Sequence, residues 1–185
     1  MSSTFDPAAI GQQLKGQDGI PPLAQWNPDF CGDIDMRIAR DGRWFYQGSP
    51  IGREAMVKMF SRILWREGES YFLKTPVEKV GIQVDDAPFF VVSVEHAVGE
   101  QGPELLFTTS TGDQVRADAE HPIRVEEDAA TGEPSPYLMI RFGMEGRIAR
   151  NLFYQLVELG RMVEHAHGTE LVVESAGETF SLGTL

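Results

Sequence analysis

Disulfide chemistry is what this sequence most plainly lacks. Its 185 residues include one cysteine, Cys31, so no intrachain bridge can form, which fits a reducing compartment. Long apolar runs are missing as well. No stretch approaches the roughly 20 residues that a membrane-spanning helix needs. The opening MSSTFDPAAI has neither the basic flank nor the apolar centre of a secretory signal. These absences lead us to expect a cytoplasmic protein with no membrane partner. Basic residues are few, 16 Lys+Arg against 28 Asp+Glu for a net charge of -12, and that argues against a nucleic-acid polymer as partner. There is no Walker loop, dinucleotide-type glycine fingerprint, nucleophile elbow or H-E-x-x-H. The residues therefore offer no catalytic constellation, and no cofactor is expected.

Hydrophobic residues make up 42% and charged residues 24%, the composition of a folded chain. The length allows one large domain or two small ones. The charge is uneven. Residues 1–80 hold 10 Lys+Arg and 10 Asp+Glu, whereas residues 81–185 hold 6 and 18. Seven of the basic residues lie between Arg37 and Arg66. Two readings stay open. The basic half docks on the acidic half, or the basic stretch holds a small anionic ligand.

The stretch from Gly32 to Glu67 organises the rest. Ile34, Met36 and Ile38 alternate with polar residues as in a half-buried strand. Asp41-Gly42 is a hairpin signal, since both residues of the tightest turns take positive φ. Trp44, Phe45 and Tyr46 suit a strand covered on both faces. After Pro50, the apolar positions Ile51, Ala55, Met56, Met59, Phe60, Ile63 and Leu64 predict a long amphipathic helix ending at Gly68. An earlier short helix is predicted from Pro7 to Lys15. Later stretches read as strands, including the hairpins Leu105–Thr109 with Gln114–Ala117 and Leu171–Glu174 with Glu178–Leu182. A second helix is predicted from Ile148 to Val163, closed by Gly168. Gly52-Arg53-x-Ala55 and Gly146-Arg147-x-Ala149 each precede a predicted helix, which suggests a duplicated unit. Asp41-Gly42 with Pro50-Ile51 and Gly112-Asp113 with Pro122-Ile123 suggest the same.

Candidate chemistry comes with plain structural readings beside it. His165 and His167 lie near one another with Glu164, but an i, i+2 pair does not share a helix face. Cys31 lacks a base placed by the sequence. Asp85, Asp86 and Glu78 supply oxygen ligands without a calcium-loop spacing. Thr75-Pro76-Val77-Glu78-Lys79 sets a hydroxyl, a carboxylate and an ammonium in one rigid connection. It is either a linker with a surface ion pair or part of a pocket.

Three runs carry a family resemblance. They are Cys31 to Met36, Asp41-Gly42-Arg43-Trp44-Phe45-Tyr46-Gln47-Gly48-Ser49-Pro50-Ile51, and Tyr71-Phe72-Leu73-Lys74-Thr75-Pro76-Val77-Glu78-Lys79-Val80. With them the chain resembles the uncharacterised bacterial family catalogued as domain of unknown function 1285. The resemblance implies an α+β fold of two small domains, placed here at residues 1–80 and 81–185, with a duplicated strand–helix core. It also implies a C-terminal domain partly like the pleckstrin-homology barrel plus helix, from which the final hairpin departs. It further implies a nucleotide-like ligand held between the domains and a role in signal transduction. The matching positions are Trp44, Tyr46, Arg53, Thr75, Glu78, Lys79 and Asp86. Arg53 and Lys79 would meet an anionic group, and Trp44 or Tyr46 would stack on a ring. A protein-interaction module docking through the acidic C-terminal half is the alternative. A hydrolase using Glu78 or Asp86 as base is a third reading.

Overall fold

In the computed structural model the described residues are 5–14 and 19–185. Their contacts divide the chain into two units, Met1–Asp86 and Ala87–Leu185. The first unit extends six residues past the expected boundary at 80, because the strand Lys79–Val84 belongs to its sheet. The described residues are mostly β, with three short α-helices, one 3-10 turn at Leu23–Gln25 and three sheets. None of these helices is long and apolar enough to cross a membrane.

The first unit opens with α1 (Pro7–Gln13); Lys15, the expected end of that helix, lies outside the described residues. Strand β1 (Phe30–Ile38) pairs antiparallel with β2 (Trp44–Tyr46), with Met36 opposite Tyr46 and Ile38 opposite Trp44. The expected turn between them is present but wider than two residues. Ala39 N donates to Arg43 O at 2.8 Å and Gly42 N to Ala39 O at 3.0 Å, and only Gly42 takes positive φ. The tight two-residue turn follows instead at Gln47-Gly48, with φ of 51° and 81°, leading into β3 (Ser49–Pro50). Trp44 is buried and stacks on Phe60 at 6.3 Å. Phe45 is covered by guanidinium groups, those of Arg37 at 4.8 Å and Arg43 at 5.4 Å from its centroid.

Helix α2 runs only over Glu54–Ser61. The amphipathic pattern continues to Leu64, but the chain leaves the helix where Ser61 Oγ donates to Lys58 O at 2.6 Å. Leu64–Glu67 then forms β4, which pairs with β5 (Ser70–Lys74). Gly68, at φ 60°, makes that hairpin turn rather than a helix cap. The competing pull was cross-strand pairing, with Leu64 opposite Leu73 and Trp65 opposite Phe72. Aromatic and aliphatic pairs of this kind outweigh local helix preference. Strand β6 (Lys79–Val84) returns to the centre beside β1, in parallel.

The second unit repeats this circuit. Strands β7 (Phe89–Gly99), β8 (Gly102–Thr109) and β9 (Gln114–Arg116) run outward from the centre, then β10 (Ile123–Glu127), β11 (Pro134–Arg141) and β12 (Met144–Ile148) run inward. The two sheet orders are β3-β2-β1-β6-β5-β4 and β10-β11-β12-β7-β8-β9. In each, the first and sixth strands lie parallel at the centre and the sheet stays open at both edges. Among the described residues no closed barrel forms. The duplication is therefore one of strand circuit, and neither sequence alignment marks it. Gly52-Arg53 and Gly146-Arg147 each precede a helix, but the first pair follows β3 and the second lies inside β12, so they hold different places in the circuit.

Helix α3 covers Arg150–Leu159, four residues short of the expected end. Val163 instead belongs to β13 (Arg161–His165), which pairs with β14 (Gly168–Ser175) and through it with β15 (Glu178–Thr184). Gly160 makes the break, since a Cβ there would sit 2.9 Å from Val172 O. The final hairpin turns through Ala176-Gly177 at φ 52° and 80°.

Glycine occupies the sixth strand of both circuits. Gly146 lies opposite Phe89 and Gly81 opposite Asp33. A Cβ on Gly146 would meet Val91 Cγ2 at 3.0 Å, Phe89 Cβ at 3.2 Å and Ile140 Cγ1 at 3.3 Å. We expect Gly146→Ala to cost about 1–3 kcal/mol, as overpacking of a filled core does. A denaturant midpoint unchanged from wild type would refute that tight fit. A Cβ on Gly81 meets something different, namely the end of the Asp33 carboxylate.

Candidate functional site

Alternation along β6 turns Val80 into the core with Leu73 and leaves Gly81 on the opposite face. A cleft of about 710 Å³ opens there, bounded by Lys79 and Gln83 on the Gly81 side of β6 and reaching Ile82 and Val84 on the other. It is lined by residues of β1, β5 and β6, together with Glu67 and Glu69 of the β4–β5 hairpin. The rings of Phe30 and Phe72 meet edge to face at 5.8 Å. Phe30 is 55% exposed, a large apolar ring held out at the cleft. The missing side chain at Gly81 leaves room for the Asp33 carboxylate to lie across the strand.

Charges alternate with rings along this face. Lys79 lines the cleft, with its Nζ 4.9 Å from the Phe72 centroid. It donates to both oxygens of Glu67, at 3.1 and 3.0 Å. Glu67 also accepts from Trp65 Nε1 at 3.2 Å. The Lys79 hydrogen bonds hold the Glu67 carboxyl below the usual carboxylate range, against a smaller opposing effect of burial. Lys74 stands directly opposite Lys79 in the hairpin and places Nζ 4.0 Å from the Trp65 ring centroid. Burial pushes the Lys74 ammonium down; Glu67 opposes that and Lys79 adds to it. At the other end of the cleft, Asp85 pairs with Arg37.

Of the residues expected at the site, the structure brings Lys79 to this cleft. Trp44 is 3% exposed and fills the core. Tyr46 packs edge-on against Phe5 at 6.1 Å. Arg53 sits at the cap position of α2, exposed. Thr75 is buried and spends its hydroxyl on the β5–β6 turn, accepting from Glu78 N at 3.0 Å and Val77 N at 3.3 Å. Glu78 is half-buried in that turn, and Asp86, half-buried too, follows the cleft residue Asp85. Elsewhere, Cys31 is half-buried and its thiol donates to Asp29 O at 3.2 Å. His165 pairs with Glu170 at 2.7 Å rather than with His167. Among the described residues no group of His, Cys, Asp and Glu is arranged to hold a metal.

Sequence reasoning missed Asp33, Phe30, Phe72 and Gly81 as a set. Asp33 and Phe72 read as ordinary outward positions of two strands. What joins them is the parallel pairing of β1 with β6, a contact across 48 residues for which local sequence carries no signal. An aromatic ring at an outward position beside a strand glycine is the one hint that was available.

Comparisons with known proteins cover the same ground. The family model described as the N-terminal domain of DUF1285, a domain of unknown function, matches residues 21–87. Its C-terminal counterpart matches residues 88–182. A DUF1285 family protein from Silicibacter pomeroyi DSS-3 is 50% identical, with 99% of this chain and 97% of that one aligned at a TM-score of 0.88. A DUF1285 family protein from Shewanella baltica OS155 is 31% identical over 66% of this chain and 90% of that one, with a TM-score of 0.53. No curated protein matches this chain. Both halves of the sequence and the strand circuit thus agree, and the chain belongs to the DUF1285 family.

Proposed function

We propose that this chain is a ligand-binding protein and that the cleft on the outer face of the N-terminal sheet seats a small molecule with a flat ring. The carrying observation is a cleft of about 710 Å³ walled by Phe30 and Phe72, with the Asp33 carboxylate laid into it across Gly81. Ligand sites fall in the range of roughly 300–1,000 Å³ and combine apolar walls with a few placed polar groups. An exposed aromatic ring offers stacking energy to any planar ligand. A nucleotide-like ligand, the class implied by the family resemblance, would stack its base there and offer ribose hydroxyls to Asp33. Its phosphate would have to draw Lys79 away from Glu67 and would face the Asp33 and Glu69 carboxylates, so the flat ring is the part of that class which the cleft fits. Binding without turnover is what a sensing role in signal transduction requires.

The test is a thermal-shift panel of nucleosides, nucleotides and other ring-bearing metabolites. A ligand at about a hundred times its dissociation constant stabilises by roughly 2.7 kcal/mol, a shift of several degrees at this size. Phe30→Ala and Gly81→Ala should weaken that response. Neither change disturbs a filled core, because Phe30 is exposed and the atom nearest a Gly81 Cβ ends a flexible side chain. A full shift retained in both variants would place the site elsewhere.

A further inference from the structure

We infer that the cleft selects an organic cation, an ammonium or guanidinium carried on an apolar or aromatic body. The inference rests on the reading of the cleft as a binding site and names the chemistry it takes. Four carboxylates line it, Asp33, Glu67, Glu69 and Asp85, against the single ammonium of Lys79. Glu67 is engaged by Lys79, and Asp85 by Arg37. Asp33 and Glu69 remain, and neither makes an ion pair among the described residues. An entering phosphate would face those two charges. An entering cation would be drawn by them.

The aromatic walls point the same way. The face of an aromatic ring attracts a cation, and the Phe72 face already carries one, the Lys79 ammonium at 4.9 Å. That ammonium touches a ring and a carboxylate together, Phe72 and Glu67, as an incoming cation would touch Phe30 and Asp33. Lys79 is thus a tethered stand-in for the ligand. Its side chain, 14% exposed, occupies the other ring and carboxylate of the cleft, Phe72 and Glu67, and sets a like charge beside an entering cation. Removing it should strengthen binding of a cation and weaken binding of an anion, opposite signs from one substitution.

The experiment uses the full chain and three probes sharing one ring: benzyltrimethylammonium, benzyl alcohol and phenyl phosphate. Affinities are read by calorimetry and by amide shift changes in wild type, Asp33→Asn, Lys79→Met and Phe30→Ala. The expected result is binding of the cation ahead of the other two. Asp33→Asn should weaken it and Lys79→Met should strengthen it, each about threefold to fivefold, the size expected of one partly exposed charge contact. If the alcohol or the phosphate binds as tightly as the cation, with binding lost in Phe30→Ala, the cation inference fails while the cleft stands as a site. Weaker cation binding in Lys79→Met also overturns the inference, since it would make Lys79 a support rather than an opposing charge. If no probe binds in the millimolar range, both readings fail.

Discussion

Ser175→Ala should cost the protein about 2–4 kcal/mol, from a change of one oxygen atom. Ser175 is fully buried at the end of β14. Its hydroxyl donates to Ala117 O at 2.7 Å and accepts from Leu105 N at 2.9 Å. Leu105 and Ala117 are themselves paired once, through Ala117 N to Leu105 O at 3.0 Å. The second bond of that antiparallel pair is replaced by the serine. The hydroxyl is wedged into the ladder where β9 leaves β8. Next to it, Ala176 N donates to Pro103 O at 2.9 Å, so the hairpin tip of the third sheet is tied to β8 by main chain and side chain together. Removing the oxygen leaves a buried N–H and a buried C=O without partners, each costing about 1–3 kcal/mol. At roughly 2–4 °C per kcal/mol for a chain of this size, the melting temperature should fall by about 5–10 °C. Ser175→Cys, with a weaker donor and acceptor, should fall between. A loss under about 2 °C would mean that β8 and the end of β9 close on each other, and the wedge would then be a passenger.

Such a contact cannot be read from the sequence, and the reason is general to this fold. The hairpins were legible because their signals are local. The turns at Asp41-Gly42 and Ala176-Gly177 needed only neighbouring residues to announce them. The two long helices were overestimated for the same reason. Local periodicity continued through Ile63-Leu64 and through Val163, but cross-strand partners at Leu73 and Glu170 claimed Leu64 and Val163 for sheets. The central parallel pairs lie beyond local reading altogether, because β1 meets β6 only after the chain has gone to both edges of the sheet. The cleft depends on that pair. Asp33 comes to Gly81, and Phe30 to Phe72, through the long circuit. Of the expected site residues, Lys79 reaches the cleft because it ends the one connection, Thr75 to Lys79, whose geometry is local. Thr75 was conspicuous for a structural reason, its hydroxyl closing the turn that aims Lys79.

Asp113→Asn should destabilise the protein by about 3 kcal/mol at neutral pH and by progressively less in acid. Asp113 lies in the β8–β9 turn, and its carboxylate accepts from the hydroxyls of Thr109 and Thr111, both at 2.8 Å. Its other oxygen pairs with Arg141 of β11, whose guanidinium lies 4.7 Å from the Phe89 centroid. Both charged side chains are 15% exposed, so solvent screens them little. Breaking a buried pair by removing one partner costs about 3–5 kcal/mol, and the lower end suits a pair that water still touches. Burial alone would push the Asp113 carboxyl up, but the Arg141 charge and hydrogen bond, with the two threonine hydroxyls, outweigh it and hold the group below its ordinary value. A carboxyl depressed in the folded state stabilises fully above its unfolded pKa of about 3.9 and loses that contribution as pH falls through the folded value. The gap between wild type and Asp113→Asn should therefore be constant from pH 7 to about 5 and shrink below about 4. Comparing the two proteins at each pH cancels the other depressed carboxyls, Asp41, Glu67, Asp118 and Glu170. Arg141→Met keeps a long stem over Phe89 and should show the same pH dependence, since the charge that holds Asp113 down is gone. Urea unfolding of the three proteins between pH 3 and 7 measures all of this. A gap that persists unchanged at pH 3 would assign the loss to hydrogen-bond geometry at the turn, and the ion pair across the sheet would then contribute nothing to stability.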